Sequence, residues 1–225
     1  MFIYRDIGNI TEDSQEDIMS VIVDEPEVAV NALTTLYLLK KSANRIDGIT
    51  KLQKLTFITQ NDFFNNDIAV ISGEFFKWHY GPMSDEVYST NNFLVENGLV
   101  NDRLLKVTDR GEKILDDFSY LIESNETIFA IVDECVEKFS SMNLPKLKEI
   151  IYSMVVIPEN SDTPVEIRDI SRGTTIFRNK GFASLNIDDE DIESLEICLD
   201  EEMYQSVMLG AEDARSGRIS KLEAV

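Results

Sequence analysis

The segment FFKWHYGPMSDEVY, residues 75–88, places the chain's only tryptophan, Trp78, beside its only histidine, His79, just ahead of a Gly-Pro pair. A lone histidine raises the question of catalysis. A Ser-His-Asp arrangement would have to be built on His79, yet no nucleophile-elbow glycine pattern is present, and one histidine cannot make a two-histidine metal site. Neither GxGxxG nor GxxxxGK[ST] occurs, so no phosphate-cradling loop is encoded in either form. Carboxylates are plentiful but come as runs in polar segments rather than as isolated acids in apolar surroundings, which is where catalytic pairs are tuned. Cys135 and Cys198 follow no metal or disulfide spacing, and Cys135 falls on an apolar helical stripe that suits core packing. The chain therefore reads as non-enzymatic, with no metal or cofactor expected. His79, between Trp78 and Tyr80, reads as a packed or interfacial residue.

Charge is the strongest global property. The 225 residues hold 21 basic and 42 acidic side chains, a formal net charge of −21. Residues 1–30 carry −7 and residues 187–225 carry −9, so the acidity is concentrated at the two ends. Such a chain is poorly suited to binding nucleic acid through its phosphates. It suits solubility or a basic protein partner. No apolar run is long enough to span a membrane, and residues 1–17 lack the basic-then-apolar order of a secretory signal. A cytoplasmic location is expected.

Periodicity supplies the elements that must hold the aromatic segment. From Pro26, PEVAVNALTTLYLLKKSA reads as a helix with Asp24 as N-cap, an apolar face of Ala29, Leu33, Leu36 and Tyr37, and Lys40 and Lys41 in its last turn. After Asp47-Gly48, TKLQKLTFITQNDFF starts a second helix, with Thr50 and Gln53 at capping-box spacing. Its buried stripe is Ile49, Leu52, Leu55 and Ile58. Lys51 and Lys54 share another face, which is either a contact surface or an ordinary solvated one.

Residues 69–80 are rich in aromatic and β-branched residues and read as a strand stopped by Gly81-Pro82. Ser84 is placed to cap a helix that ends at Asn97-Gly98. Two short strands around Asn101-Asp102 lead to a helix near residues 108–119, and helices follow over 125–142 and 143–156. Beyond Pro158 the period lapses, so residues 158–186 read as an irregular linker in which TTIF and VEIRDI could form short strands. Residues 187–225 read as an acidic tail with one amphipathic helix ending at Gly217.

The predicted fold is mainly α: a helical core over residues 26–157 with a small antiparallel β element in a winged-helix-like order, flanked by acidic, partly disordered tails at 1–25 and 187–225. A winged helix would send residues 84–97 into the DNA major groove. That helix carries Asp85, Glu86 and Glu96 and no base, so DNA binding is disfavoured.

Two motifs carry a resemblance. ITKLQKLTFITQ, followed about twenty residues later by FFKWHYGPMSDEVYSTNNFLVENGLV, resembles the Panacea domain of phage-associated antitoxins of the SocA and GepA type. The family's KLQKL-type helix corresponds to Lys51–Leu55, its W-x-Y-G-P strand end to Trp78–Pro82, and its next helix start to Met83–Tyr88. Coverage is roughly residues 28–156.

The resemblance implies an antitoxin that binds and neutralises a toxin encoded beside it, with a protease or its adaptor as a further partner. The acidic C-terminal tail is similar to antitoxin tails that lie across a basic toxin, here with Leu199, Met203 and Val207 as the apolar stripe. The expected partner-binding residues are Lys51, Gln53, Lys54, Trp78, His79, Tyr80, Tyr88, Leu199, Met203 and Val207. Gly81, Pro82 and Ser84 are expected to be structural. The alternatives are a winged-helix regulator binding its own promoter and a DNA-mimicking protein of a mobile element.

Overall fold

The structure is a computed structural model that describes residues 25–217. The proposed cap Asp24, the N-terminal tail and the extreme C-terminal tip lie outside the described residues. Helix α1 (Glu25–Lys41) runs through the middle of the molecule and touches α3, α4, α6 and α8 together with β4. Every residue from Ala29 to Leu39 is buried, so the expected one-sided apolar face proves too narrow. A helix buried all round must satisfy its polar side chains internally. Asn31 exchanges two 2.9 Å hydrogen bonds with the backbone of Ser72, and Thr34 donates to the carbonyl of Val30 at 2.9 Å. At its C-terminus Lys40 pairs with Glu112 and Lys41 with Asp133, as cations in a last turn favour.

Helix α2 (Ile49–Asn65) lies against α6 (Glu126–Phe139), α3 (Asp85–Glu96) and α7 (Leu144–Tyr152). The predicted stripe of Leu52, Leu55 and Ile58 is buried. The predicted capping box is not formed. Gly48, which has no side chain, occupies the N-cap, Thr50 lies within the helix, and the Gln53 amide binds Ser84. Helix α3 begins after Ser84 and ends at Asn97, with Gly98 at φ 67°, close to the expected limits. Ser84 has the extended backbone of an N-cap, but its hydroxyl donates to Glu86 at 2.6 Å instead of capping an amide.

The hairpin of β3 (Val100–Asn101) and β4 (Lys106–Val107) feeds α4 (Asp109–Asp117), which is capped by Thr108 through Gly111 N–H at 3.2 Å. Gly111 is required here: a Cβ on it would sit 2.4 Å from the Leu99 carbonyl oxygen. Short helix α5 (Ser119–Ser124) then leads into α6.

The segment 158–186 departs from the linker expectation. Its strand β7 (Thr175–Asn179) pairs antiparallel with β1 (Gly73–Trp78), which pairs with β2 (Gly81–Met83), giving the sheet order β2-β1-β7. Phe75 faces Phe177 in register, and both rings pack against Phe57 at centroid distances of 5.2 and 5.5 Å. A second pair, β5 (Val155–Val156) with β6 (Val165–Glu166), and a 3-10 turn at Ile167–Asp169 precede β7. Ile167, Ile170, Ile176, Phe177 and Leu185 are all buried, which makes this segment part of the core.

The C-terminal region also differs from one tail with one helix. Helix α8 (Asp189–Leu199) is capped by Asp188 and packs Ile192, Leu195 and Leu199 inward, lying on α1. Helix α9 (Glu201–Arg215) buries no residue. No described helix is long and apolar enough to cross a membrane.

Candidate functional site

Two surfaces gather the expected site residues: the turn between β1 and β2, and the length of α9. The turn is built from below. Because successive strand residues point to opposite faces, Phe75 and Lys77 face inward while Phe76 and Trp78 face outward. Trp78, His79 and Tyr80 then emerge at the surface, with Trp78 39% and Tyr80 66% exposed. Gly81 at φ 98° reverses the chain, a conformation that side-chain-bearing residues rarely adopt. A Cβ at Gly81 would meet Lys54 Cε at 3.5 Å and Tyr152 Cζ at 3.8 Å, both ordinary contacts, so the backbone conformation and not the space favours glycine here.

Lys51, Gln53 and Lys54 do not form a contact surface. They are 5%, 2% and 3% exposed and bind the chain itself. Lys51 Nζ donates to the Arg45 carbonyl at 2.5 Å, and Lys54 Nζ to the Pro82 carbonyl at 2.5 Å. The Gln53 amide donates to Ser84 O at 2.7 Å and accepts from Ser84 N–H at 3.0 Å. Burial of a lysine usually demands such a partner, and on α2 the burying neighbours arrive from β2 and α7.

No family model, no curated protein and no solved structure matches the chain.

Residues 51–55 and 78–88 form one structural unit. The KLQKL-type residues Gln53 and Lys54 hold the backbone of Pro82 and Ser84, so the strand end and the second helix depend on one another.

Around that unit lie cations and rings that no spacing in the sequence brings together. Arg172 stacks over Trp78 at 5.0 Å and donates to His79 Nε2 at 2.8 Å. Lys148 sits 4.7 Å from the Tyr80 ring centre, and Lys77 sits 4.1 Å from that of Tyr152. Tyr152 also donates to the His79 carbonyl at 3.4 Å. Burial, then repulsion from Lys148 and Lys77, pushes the Lys54 ammonium down to about 8. Burial and Lys148 likewise lower Lys77, and burial raises the Tyr152 phenol. Tyr88, at the start of α3, is exposed but is not tied to this cluster by any described ring contact.

The second surface is α9. Leu199, expected to face a partner, is fully buried at the end of α8. Met203 and Val207 are 48% and 52% exposed, with Met208 and Ala211 continuing the row. On the far side stand Glu201, Glu202, Glu212 and Asp213. The first turn is fastened: Arg110 pairs with Glu201, Asn97 Oδ1 accepts from Glu201 N–H at 3.0 Å, and Tyr204 lies under Arg110 and Lys113. Arg110 also donates to the carbonyls of Cys198 and Asn97, both at 2.8 Å, which fixes the joint between α8 and α9.

Proposed function

We propose that this chain is a non-catalytic antitoxin of the Panacea type that binds and neutralises a toxin encoded beside it in the cytoplasm. The observation that carries this is α9, a helix with an apolar row and an acidic opposite side that buries nothing in its own fold. Amphipathic helices of this kind lay the apolar face into a partner's groove, and the acidic side favours a basic partner. The exposed Trp78, His79 and Tyr80 offer a second contact of the residue types enriched in binding hot spots. A protease or its adaptor is the further partner that the resemblance implies.

The regulator alternative draws on element order alone. Asp85 and Glu86 open the helix that would have to enter a groove, and neither charge suits phosphate. Co-expression with the neighbouring gene tests the antitoxin reading: growth arrest by that gene should be relieved and the two proteins should co-purify. Unrelieved arrest with no co-purification would reject it.

A further inference from the structure

The chain carries a net charge of −21, yet its lysines converge at the corner where β1, β2 and α7 meet. Lys54 approaches from α2, Lys77 from the inward face of β1, and Lys148 from α7 one turn before Tyr152. Between them lie the rings of Tyr80 and Tyr152. Among the described residues, no carboxylate comes within ion-pair distance of Lys54, Lys77 or Lys148.

Two of these ammonium groups belong to residues that are more than nine-tenths buried. Buried charge normally persists where it is paired, and three like charges within electrostatic reach oppose one another. The fold tolerates this arrangement with only the Pro82 carbonyl and the two ring faces as partners. A multiply charged anion beside them would offset their mutual repulsion.

An opening for such an anion is present beside them. A groove of about 580 Å³ is lined by Leu144, Pro145, Lys148, Glu149, Tyr152 and Arg168. Its size is that of a small-molecule site, and its walls combine apolar surface, an aromatic ring and two cations. Arg168 is held by Glu166 at 2.7 Å and keeps donors for a second acceptor; Glu149 is the one carboxylate among the lining residues.

We infer that this groove binds a nucleoside polyphosphate, with its phosphates on Lys148 and Arg168, the charges of Lys77 and Lys54 behind them, and its base on Tyr152. Leu144 and Pro145 complete an apolar wall for the base. The apolar and aromatic part of the lining distinguishes a nucleotide from inorganic phosphate, for which the cations alone would suffice. This goes beyond the antitoxin reading and does not depend on it, since binding is measured on the chain alone.

Trp78, the only tryptophan, lies at the same corner and serves as a built-in fluorescence reporter. The full chain is titrated with ADP, diphosphate and adenosine, and affinities are checked by calorimetry. ADP should bind saturably, with diphosphate and adenosine each at least about tenfold weaker. Lys148→Ala and Arg168→Ala should each weaken ADP by roughly tenfold or more. Lys148→Ala should also hold or raise the melting temperature without ligand, because it removes repulsion on Lys54 and Lys77. Absence of saturable ADP binding, or wild-type affinity in a folded Lys148→Ala variant, would overturn the proposal. Diphosphate binding as tight as ADP would overturn the nucleotide assignment.

Discussion

Lys54 places an ammonium group in the core without a carboxylate, and this has a measurable pH signature. Unfolded, the group has the ordinary lysine value of 10.5; burial, then Lys148 and Lys77, push it down to about 8 in the folded chain. Between those values the unfolded chain binds more protons, so stability rises with pH across that interval and the full penalty applies below it. Denaturant unfolding should therefore show a rise between pH 8 and 10.5 that is smaller in Lys54→Met, and the difference between the two chains isolates this group from the general self-repulsion of an acidic protein. Gln53→Ala leaves Ser84 N–H without its partner at a site 1% exposed, while the Ser84 carbonyl keeps the first bond of α3, and should cost about 1–3 kcal/mol in the same assay. Cys135, whose thiol burial pushes up to about 12, should resist thiol reagents until the chain unfolds. At this scale the sequence was informative about Cys135 and about Gly81, whose types already narrow their surroundings. It misplaced Lys51, Gln53 and Lys54, because the spacing of lysines along a helix shows which share a face and not whether another element covers that face.

Among the elements, those bounded by local chemistry were legible and those defined by distant partners were not. Helix α3 was delimited by Ser84 and Asn97-Gly98. Helix α7, expected to reach residue 156, stops at Tyr152, and Val155–Val156 pair as β5 with β6 instead. Strand β7 carries a short apolar run, TIF, whose partner β1 lies about a hundred residues earlier, so no local period marks it as core. The same holds for α8, whose acidic first turn satisfies its N-terminus while Leu195 and Leu199 vanish against α1. Truncation separates the two C-terminal helices. Ending the chain after Asn186 removes buried Ile192, Leu195 and Leu199 and should destabilise the core by several kcal/mol, roughly 2–5 for each large apolar side chain lost. Ending it after Asp200 removes only α9, which buries nothing, and should shift the thermal midpoint little. Comparable melting of both truncations would show that α8 is not core.

Over the whole molecule, acidity concentrated at the two ends of the sequence contrasts with a lysine cluster where α2, β1 and α7 meet. Partner binding through α9 should weaken as salt rises if the partner is basic, since exposed charges are screened beyond about 10 Å at 0.1 M salt. The charge segregation was visible in the sequence as −7 and −9 at the two ends, but the clustering of Lys54, Lys77 and Lys148 appears only when α2, β1 and α7 meet. The most direct test is the affinity of the full chain for the co-expressed neighbouring protein, compared with the Met203→Glu/Val207→Glu double variant. Both side chains are exposed, so the variant should fold and melt like the wild type. Burying an apolar side chain of this size contributes about 1.5–3 kcal/mol, so affinity should fall by at least roughly 100-fold and rescue from growth arrest should be lost. Unchanged affinity and full rescue by the double variant would contradict the assignment of α9 as the toxin-binding helix.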